Sequence, residues 1–458
     1  MKSLFPVLLL FCLFARATEA AEEYTFSPSE IEKKLYHIGG YFEFRPVLLR
    51  LDQNAALYKL NLFDQNVGNP LLEYNGRLWI DANIQKGMAG FYLQLNTNYQ
   101  QSDAVPATSE IKPYQAYLSL KPSSSLTIDM GEKTSKWGKG YAWNPAAFVD
   151  RPKDPDDPEL ALQGYVIASA DYIRSFASGP LKTFSFTPVI LPAYGDINDN
   201  LISLNHKDPK IELILPVYRA VNADFGETDH LNFAAKAYFL LYDTDIDFMF
   251  LSGGSKRPRY GFDFSRNIGT NLEVHGELAY ITDFQKILID ANGNTSQKTY
   301  DAVNYLLGTR YLSTLNTTYI FEYYFQGTGY SSGEIADFFE FIDEGYDIFL
   351  SSGDRRLLSK AAAVARQGGY GRFTPERHYL YLRASQSEPF DILYFTPSIT
   401  WICNLSDRSF SLTPELLYSP ITNLEMRLKA GFLMGTNDSE FGEKQNDYRI
   451  EFRVRYYF

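Results

Sequence analysis

The chain has 458 residues, including 34 Tyr and 34 Phe, and carries a formal net charge of −12. An acidic chain lacks the basic surface that nucleic-acid binding needs, so the charge argues against that class of partner. The aromatic content excludes a disordered chain, and the moderate charged fraction excludes a bundle of apolar helices.

The first 20 residues predict a secretory signal peptide that is cleaved on export. Lys2 gives a positive start, residues 4–14 form an apolar run too short to span a bilayer, and small residues follow at a cleavage spacing. Cys12 would leave with this segment, so the exported chain would retain only Cys403 and form no internal disulfide. No later apolar run reaches the length of a membrane-spanning helix.

Residues 21–36 are expected to form a short periplasmic segment ahead of a barrel over 37–458. Within it, Ser27, Pro28 and Glu30 have the spacing of a helix N-cap, first turn and capping box. One or two helical turns below the barrel mouth and a frayed leader both fit this pattern. Too few residues precede the first strand to build a plug domain.

Beyond residue 37 the chain alternates apolar and polar side chains with the period of a β-strand. In one segment Tyr319, Phe321 and Tyr323 oppose Glu322 and Tyr324. Eighteen segments show this pattern: 38–50, 72–84, 88–99, 111–120, 124–133, 164–175, 181–191, 231–242, 245–253, 258–266, 271–284, 302–314, 316–327, 377–386, 391–403, 409–418, 422–434 and 447–458. We therefore predict an all-β fold, a closed antiparallel transmembrane β-barrel of about 16–18 strands. A soluble β-sandwich array is the structural alternative.

The connections between these segments alternate in length, as expected for short periplasmic turns and long extracellular loops. The short ones, such as "YDTD" and "NIGT", are rich in turn-forming residues. The long ones are predicted at 51–70, 100–110, 134–163, 192–230, 285–301, 328–376 and 435–446. Two connections that should be long, "SGGSKRP" and "NLSDR", are short.

The chain ends in "DYRIEFRVRYYF", with aromatic and aliphatic residues on one face of a strand and charges on the other. A terminal Phe458 preceded by Tyr456 resembles the C-terminal signature of bacterial outer-membrane β-barrels. The resemblance implies that these two residues form a signal for the barrel-assembly machinery. It also implies location in the outer membrane of a Gram-negative envelope, in contact with its lipid.

The charged faces of the strands are predicted to line a water-filled pore. The last two strands and the first give a mixed wall with a basic excess, whereas other strands give a more acidic wall. The predicted pore-lining residues are Glu43, Arg45, Glu273, His275, Glu277, Glu322, Glu425, Arg427, Lys429, Arg449, Glu451, Arg453 and Arg455. Networks that fill a plugged barrel are the alternative, although about eighteen strands leave room for an aqueous path.

The most distinctive stretch is "EKTSKWGKGYAWNPAAFVDRPKDPDDPE". Its prolines forbid a strand and stiffen a loop. One interpretation is a constriction loop folded into the pore, with these residues near its narrowest point: Trp137, Tyr141, Trp143, Asp150, Asp154, Asp156 and Asp157. The alternatives are a rigid extracellular cap with its Trp residues at the membrane interface, and a calcium site.

Residues 328–376 also break the strand pattern. "RRLLSKAAAVAR" has a helical composition and is followed by Gly-Gly, and "EIADFFEFIDEGYDIF" places acids between aromatics. Both are expected to be helices in one large loop that acts as a lid, a plug or a docking surface, or that merely decorates the surface.

Enzymatic chemistry is not indicated. The five His residues form no close metal-ligand pair, so neither a metal site nor a cofactor is predicted. His275 lies between Glu273 and Glu277 on one strand face, as a general base would. A solvated pore residue in an acidic row gives the same pattern and is the interpretation we favour.

The segment "GEKTSKWGKGYAWNPAAF" is similar to a strand-to-loop segment of alginate-export-type porin-like barrels, in which "GR…WG…NP" follows a strand. Glu132 and Lys133 stand where that pattern has Arg. The resemblance implies a barrel that passes polar or anionic solutes. We therefore expect a porin-like channel, passive or gated, for small polar or anionic solutes. The rival is a barrel sleeve or docking scaffold for a periplasmic or secreted protein partner, such as an electron carrier, and an outer-membrane enzyme ranks third.

Overall fold

The computed structural model describes residues 35–102, 107–195 and 220–458. The predicted signal peptide and nearly all of the predicted periplasmic segment, with its capping box, lie outside the described residues. So does most of the predicted loop 192–230. Residues His37–Phe458 form one compact unit.

Eighteen strands are present among the described residues, as the alternation predicts. Each strand pairs antiparallel with its neighbours along the chain, and the last strand pairs with the first, so the sheet is closed. The strands are β1 (Tyr36–Leu51), β2 (Leu71–Lys86), β3 (Ala89–Ser102), β4 (Thr108–Ser123), β5 (Leu126–Lys133), β6 (Tyr165–Ser175), β7 (Leu181–Ala193), β8 (His230–Leu241), β9 (Thr244–Ser252), β10 (Arg259–Ile268), β11 (Leu272–Ile289), β12 (Thr295–Leu312), β13 (Thr317–Gln326), β14 (His378–Gln386), β15 (Phe395–Asn404), β16 (Phe410–Ile421), β17 (Leu424–Met434) and β18 (Asn446–Tyr457). The predicted all-β closed barrel is confirmed.

The outer face of the barrel is apolar. Opposed residues form one row across eight successive strands from β6 to β13. The members of the row are Tyr172, Phe186, Ala237, Phe248, Phe262, Leu278, Tyr305 and Phe325. Side chains on this face are open to the surroundings, as Phe248 with 52% exposure illustrates. A soluble barrel would leave such a belt in water, whereas lipid removes the cost of exposing it.

The barrel closes between β1 and β18 in a register that pairs Glu43 with Arg455 and Phe44 with Val454. Closure satisfies the backbone groups of both edge strands, which lipid could not do. The final Phe458 continues this edge, because its backbone N–H donates to Gly40 at 3.0 Å and its ring lies 5.2 Å from Phe42.

One end of the barrel carries short turns. Between β8 and β9 the turn residues Tyr242 and Asp243 both have positive φ, of 50° and 56°, which is the hairpin geometry that matches the twist of paired strands. The opposite end carries the long connections. The prediction of a long loop over 285–301 is wrong. There β11 and β12 extend as a paired hairpin with only 290–294 as a turn, since Lys286, Leu288 and their neighbours keep the strand alternation.

Within the described ranges, three α-helices lie at the long-loop end: α1 (Ala56–Leu62), α2 (Ser332–Ser352) and α3 (Arg356–Gly368). The two predicted helices in 328–376 are present, whereas α1 was expected to be loop. Ser331 and Glu334 form a capping box at the start of α2, which fixes where this helix begins. Among the described residues, no helix is both long and apolar enough to cross a membrane.

The helices share an apolar core with the extended hairpin. This core contains Leu60 of α1, Phe338 and Ile342 of α2, Leu358 of α3 and Leu288 of β11. All five side chains are buried, so the three helices pack together and are not a set of loose turns. Residues 327–377 together with α1 are called the cap.

Candidate pore and its inserted loop

The predicted pore-lining residues all lie on the face of their strands opposite to the apolar belt. Glu43 is 7% exposed, while its neighbours Phe42 and Phe44 are each 45% exposed on the outer face. The same alternation holds for Glu322, which is fully buried between the outward Phe321 and Tyr323. These side chains therefore face the barrel interior.

An acidic row crosses three strands of the inner wall. Asp247 of β9 lies opposite Asp263 of β10, which lies opposite Glu277 of β11. Glu322 of β13 adds a fourth carboxylate, and Lys139 reaches Asp247 at 3.1 Å. Buried like charges at this spacing need donors to be tolerated, and the loop that follows β5 supplies them.

That loop, residues 134–164, is called the inserted loop because it lies against the inner wall. Glu277 accepts hydrogen bonds from the backbone N–H groups of Lys139 at 2.5 Å, Gly140 at 2.5 Å and Ala146 at 3.0 Å. Glu322 accepts from Tyr141 at 2.5 Å and Ala142 at 2.9 Å. Two wall carboxylates thus replace secondary structure as partners for five backbone donors.

A glycine makes this close approach possible. Gly138 has φ of +89°, and a Cβ there would lie 2.7 Å from Oε1 of Glu277. Any larger residue would meet both the strained backbone angle and the carboxylate. The "WGKGY" motif is therefore the sequence feature that lets the backbone lie on an acidic wall.

Apolar contacts hold the inserted loop on both sides. Trp137 and Phe148 are buried in a core with Tyr165, Val189 and other residues of the inner wall. Trp143 stacks on Tyr324 with ring centroids 5.1 Å apart. The two Trp side chains are only 3% and 5% exposed, so they neither project into open space nor lie at a membrane interface.

The acidic end of the inserted loop reaches the opposite, basic wall. Asp156 contacts Lys429 of β17 at 2.9 Å and also pairs with Arg449 of β18. Asp157 pairs with Arg427 of β17 at 3.1 Å. One loop therefore spans the interior from β11 and β13 to β17 and β18.

These contacts set the charge state of the two loop acids. Burial raises the pKa of Asp156, but Lys429 and Arg449 outweigh it and hold that pKa below its usual 3.8. Asp157 is lowered in the same way: burial opposes the shift, and Arg427 and Lys429 produce it, so its pKa too lies below the ordinary value. Both acids are ionised at neutral pH.

The remaining candidate acids of the loop brace the loop itself. Asp150 accepts from the backbone N–H groups of Ser135 at 2.7 Å and Trp137 at 2.8 Å. Asp154 accepts from the backbone of Asp156 at 2.9 Å. Within the described ranges, no group of three or more His, Cys, Asp and Glu is arranged to hold a metal ion, and the calcium alternative gains no support.

The basic wall is paired strand by strand. Arg427 contacts Glu451 at 2.6 Å, Arg453 contacts Glu425 at 2.7 Å, and Arg455 contacts Glu43 at 2.7 Å. Because its cations are paired, the wall is a salt-bridge network and not a row of free positive charges. The charge that it presents to a solute depends on which partner of each pair is exposed.

Arg449 and Arg45 are the most exposed cations of this wall. The Arg449 side chain is 36% exposed and its partner Asp156 is 11% exposed. Arg45 is 29% exposed, whereas its partner Glu451 is 4% exposed. In both pairs the guanidinium side chain is more accessible than the carboxylate.

Cavities flank the inserted loop on two sides, and another lies along the inner face of β1 to β4. The cavity of about 510 Å³ is called the vestibule. It lies between the cap and the basic wall, and Arg45, Arg372, Lys444 and Arg449 are among its lining residues. A second cavity of about 200 Å³ shares Arg45 with the vestibule and adds Arg77.

A third cavity of about 410 Å³ lies on the other side, between the inserted loop and the strands β3 to β8. It is lined by Tyr92, Tyr117, Asp129, Lys133 and Lys236, among others. The vestibule and this third cavity therefore lie on different sides of the inserted loop.

The ring nitrogens of His275 lie next to two carboxylates. Its Nε2 lies 2.9 Å from Glu322 and its Nδ1 lies 3.7 Å from Glu273. Glu277, the other predicted neighbour, is engaged with the inserted loop. His275 therefore takes part in the network that holds the loop.

Sequence reasoning missed the loop lysines and several wall residues. Lys153 donates to the carbonyl oxygen of Gly140 at 2.5 Å and so braces the backbone that Glu277 holds. Asp247 was also missed as a site residue, although its place in "DTDIDF" on the inward face of a strand could have revealed it.

A closed antiparallel barrel with an even number of strands, an apolar outer belt and a charged interior defines a bacterial outer-membrane β-barrel. The porin-like barrel class and the outer-membrane location predicted from the sequence are confirmed by these features.

No family model matches the chain, and no curated protein matches it. Among solved structures, it is similar to Pseudomonas aeruginosa OpdQ, with 10% identity over 93% of this chain and 99% of that one and a TM-score of 0.49. The P. aeruginosa outer membrane protein opdK is 8% identical over 92% of this chain and 98% of its own, with a TM-score of 0.49. Acinetobacter baumannii OccAB3 is 9% identical over 92% of this chain and 99% of its own, with a TM-score of 0.48.

Proposed function

We propose that this protein is an outer-membrane channel that passes small polar solutes, with a preference for anions. The observation that carries the proposal is the inserted loop, which bridges the acidic and basic inner walls through Glu277, Glu322, Asp156 and Asp157. In this proposal the loop forms the constriction, and the thirteen wall residues predicted from the sequence form the lining around it.

The size of the remaining spaces supports small solutes over a protein partner. A sleeve for a polypeptide needs an open lumen, yet the inserted loop crosses the interior from Glu277 to Lys429, with cavities of about 410 and 510 Å³ beside it. Pockets of roughly 300–1,000 Å³ suit ligands of small-molecule size. We therefore rank the sleeve below the channel.

The preference for anions follows from exposure and not from the number of charges. Arg45 and Arg449 line the vestibule together with their partners Glu451 and Asp156, but the guanidinium side chains are the more exposed members of each pair. Arg77 lines the second cavity beside Arg45. A solute that enters from the vestibule meets guanidinium groups, which bind carboxylates and phosphates well. Low-dielectric walls strengthen such a field.

The outer surface supplies the remaining partners in this proposal. Lipid would cover the apolar belt, and Tyr456 and Phe458 would serve as the signal for barrel assembly. Both side chains are on the outer face, 45% and 52% exposed, where such machinery could reach them.

The proposal is tested by swelling of liposomes that contain the purified, folded protein. We expect entry of small neutral polyols, exclusion of oligosaccharides, and faster entry of a monocarboxylate than of a neutral solute of the same size. Arg45→Ala with Arg449→Ala should remove the advantage of the carboxylate but leave the neutral rate. Arg266→Ala, on the outer face near a short turn, is the matched control.

Folded protein that admits no solute would overturn the channel and favour the sleeve. Equal entry of anionic, neutral and cationic solutes in the parent protein would overturn only the preference for anions.

A further inference from the structure

A second group of buried carboxyls lies outside the inserted loop, at the long-loop end of the barrel. It consists of Glu376, between α3 and β14, Asp407, in the turn between β15 and β16, and Glu440, in the loop between β17 and β18. These three residues, which we call the carboxyl cluster, come from three separate connections, and Glu376 and Glu440 are 0% and 1% exposed.

Hydrogen bonds hold the carboxyl cluster together. Glu440 accepts from the Tyr379 hydroxyl at 2.5 Å and from the Asn404 amide at 2.9 Å. Its own backbone N–H donates to Asp407 at 2.6 Å. Glu376 accepts from the Ser332 hydroxyl at 3.0 Å, which ties the cluster to the first turn of α2.

The cluster holds fewer donors than its oxygens require. Oε1 of Glu376 and Oε1 of Glu440 are buried and have no hydrogen-bond partner among the described residues. Buried carboxylate oxygens without donors are costly when ionised, and a proton on one carboxyl removes a charge and supplies a donor. The cation facing the cluster is Lys444, whose Nζ donates to the carbonyl oxygen of Phe373 at 2.9 Å.

Electrostatics agrees with this geometry. Burial and then the charge of Asp407 raise the pKa of Glu376 to about 7, although Asn404 and Ser332 act against the shift. Burial raises the pKa of Glu440 to about 8, opposed by Lys444 and Tyr379 and reinforced by Glu376 and Asp407. Burial lowers the pKa of Lys444, while Glu440 and Asp407 oppose that change.

The cluster lies where two segments that roof the vestibule meet. Residues 370–373, which follow α3, and 444–446, which precede β18, line that cavity together. The bond from Lys444 to Phe373 joins the same two segments. The cap and the β17–β18 loop are therefore connected over the vestibule by the cluster and by Lys444.

We propose that Glu376, Asp407 and Glu440 form a proton-dependent latch that pins the cap to the β17–β18 loop, and that loss of the shared proton releases it. The direction follows from linkage. A carboxyl whose pKa is raised in the folded state holds its surroundings together in the protonated form, and this contribution is lost as the pH rises through that pKa. The latch weakens progressively as the pH rises above the ordinary carboxyl pKa of 4.5, and its contribution is lost once the pH has passed about 7 for Glu376 and about 8 for Glu440.

The first test is hydrogen–deuterium exchange of the parent protein and of Glu376→Gln with Glu440→Gln. The amide keeps the size of the side chain and its acceptor oxygen but cannot ionise. At pH 9 we expect peptides covering 369–377 and 435–445 to exchange several-fold faster in the parent than in the variant, with equal rates at pH 6. Because the parent and the variant are compared at the same pH, the pH dependence of the intrinsic exchange rate does not contribute to the difference.

Asp438→Asn is the matched control, because this exposed residue lies in the β17–β18 loop outside the cluster. It should behave as the parent does. Equal exchange of the parent and the double variant at both pH values, or the same difference in the control, would overturn the latch.

The second test is single-channel recording from pH 6 to pH 9, which rests on the proposed channel. The parent should show a pH-dependent change in current that the double variant lacks. A silent protein with the exchange difference intact would refute the channel and keep the latch, whereas a conducting protein without that difference would refute the latch alone.

Discussion

The anchoring of the inserted loop by Glu277 gives the sharpest prediction. This carboxylate accepts three backbone hydrogen bonds, from residues 139, 140 and 146. A hydrogen bond to a charged group contributes about 1.5–3 kcal/mol, so three at the lower limit give about 4.5 kcal/mol. Burial of the carboxylate beside Asp263 and Glu322 offsets part of this sum, and we expect Glu277→Ala to weaken loop anchoring by about 3 kcal/mol.

A change of that size alters the balance between the inserted and the displaced loop by roughly a hundredfold, since each 1.4 kcal/mol is a factor of ten. The displaced loop would open the interior. Single-channel recording in planar bilayers should therefore show larger and noisier conductance for Glu277→Ala than for the parent. Heat-modifiable gel mobility would establish that the barrel is folded in both proteins.

Glu273→Ala is the matched control. Glu273 lies on the same face of β11, but it accepts from the Ser265 hydroxyl at 2.9 Å and contacts no residue of the inserted loop among the described residues. Parent-like conductance is expected for this control. If folded Glu277→Ala has the conductance and noise of the parent, the carboxylate does not anchor the loop and the reasoning fails.

Three further predictions concern the loop acid, the belt and the cap. Asp156→Asn should lower the thermal stability of the protein at neutral pH, because Lys429 and Arg449 lose their anionic partner. The loss should vanish well below pH 3.8, where the parent carboxyl is protonated too, and an equal loss at every pH would contradict the assignment. Leu307→Arg, at a position 53% exposed on the belt, should cost about 2–4 kcal/mol in urea titrations of folding into lipid bilayers. Ser265→Arg on the inner face should cost less, and equal costs would argue against lipid at the belt. Phe338→Ala removes a ring that is 1% exposed and should weaken the cap by about 3–5 kcal/mol, seen as protease cleavage within 331–371 while barrel mobility on gels is retained.

The strands were predictable because one face of each lies against the exterior and the other against the interior. Phe321 and Glu322 illustrate the rule: a single-residue shift would put a carboxylate in lipid, so the alternation in the sequence fixes the face of each side chain. The eighteen segments and the closure of β1 on β18 follow from this local constraint.

The hairpin 285–301 and helix α1 were not predictable in the same way. Lys286 is 2% exposed although it is charged, because Glu334 of α2 lies 2.6 Å from it. The first backbone N–H of α1, at Ala56, donates to Glu443 at 2.5 Å. In each case the stabilising partner is distant in the sequence, so no local pattern reveals it.

The inserted loop was an open alternative for the same reason. Its prolines and glycines show that it is not a strand, but nothing in residues 134–164 identifies the carboxylates of β11 and β13 as acceptors for its backbone. Nor does the sequence reveal that the side chains of Trp137 and Trp143 are buried and do not face open space in the pore. Those facts depend on strand register and on the path of the loop through the barrel.

The most direct measurement of the central claim is the reversal potential of single channels across a tenfold gradient of potassium chloride. The account predicts discrete openings and a reversal potential of the sign for chloride preference, which Arg45→Ala with Arg449→Ala moves toward zero. A cation-selective potential in the parent, or a potential that the double variant leaves unchanged, would contradict the claim that these exposed guanidinium groups control what passes the inserted loop.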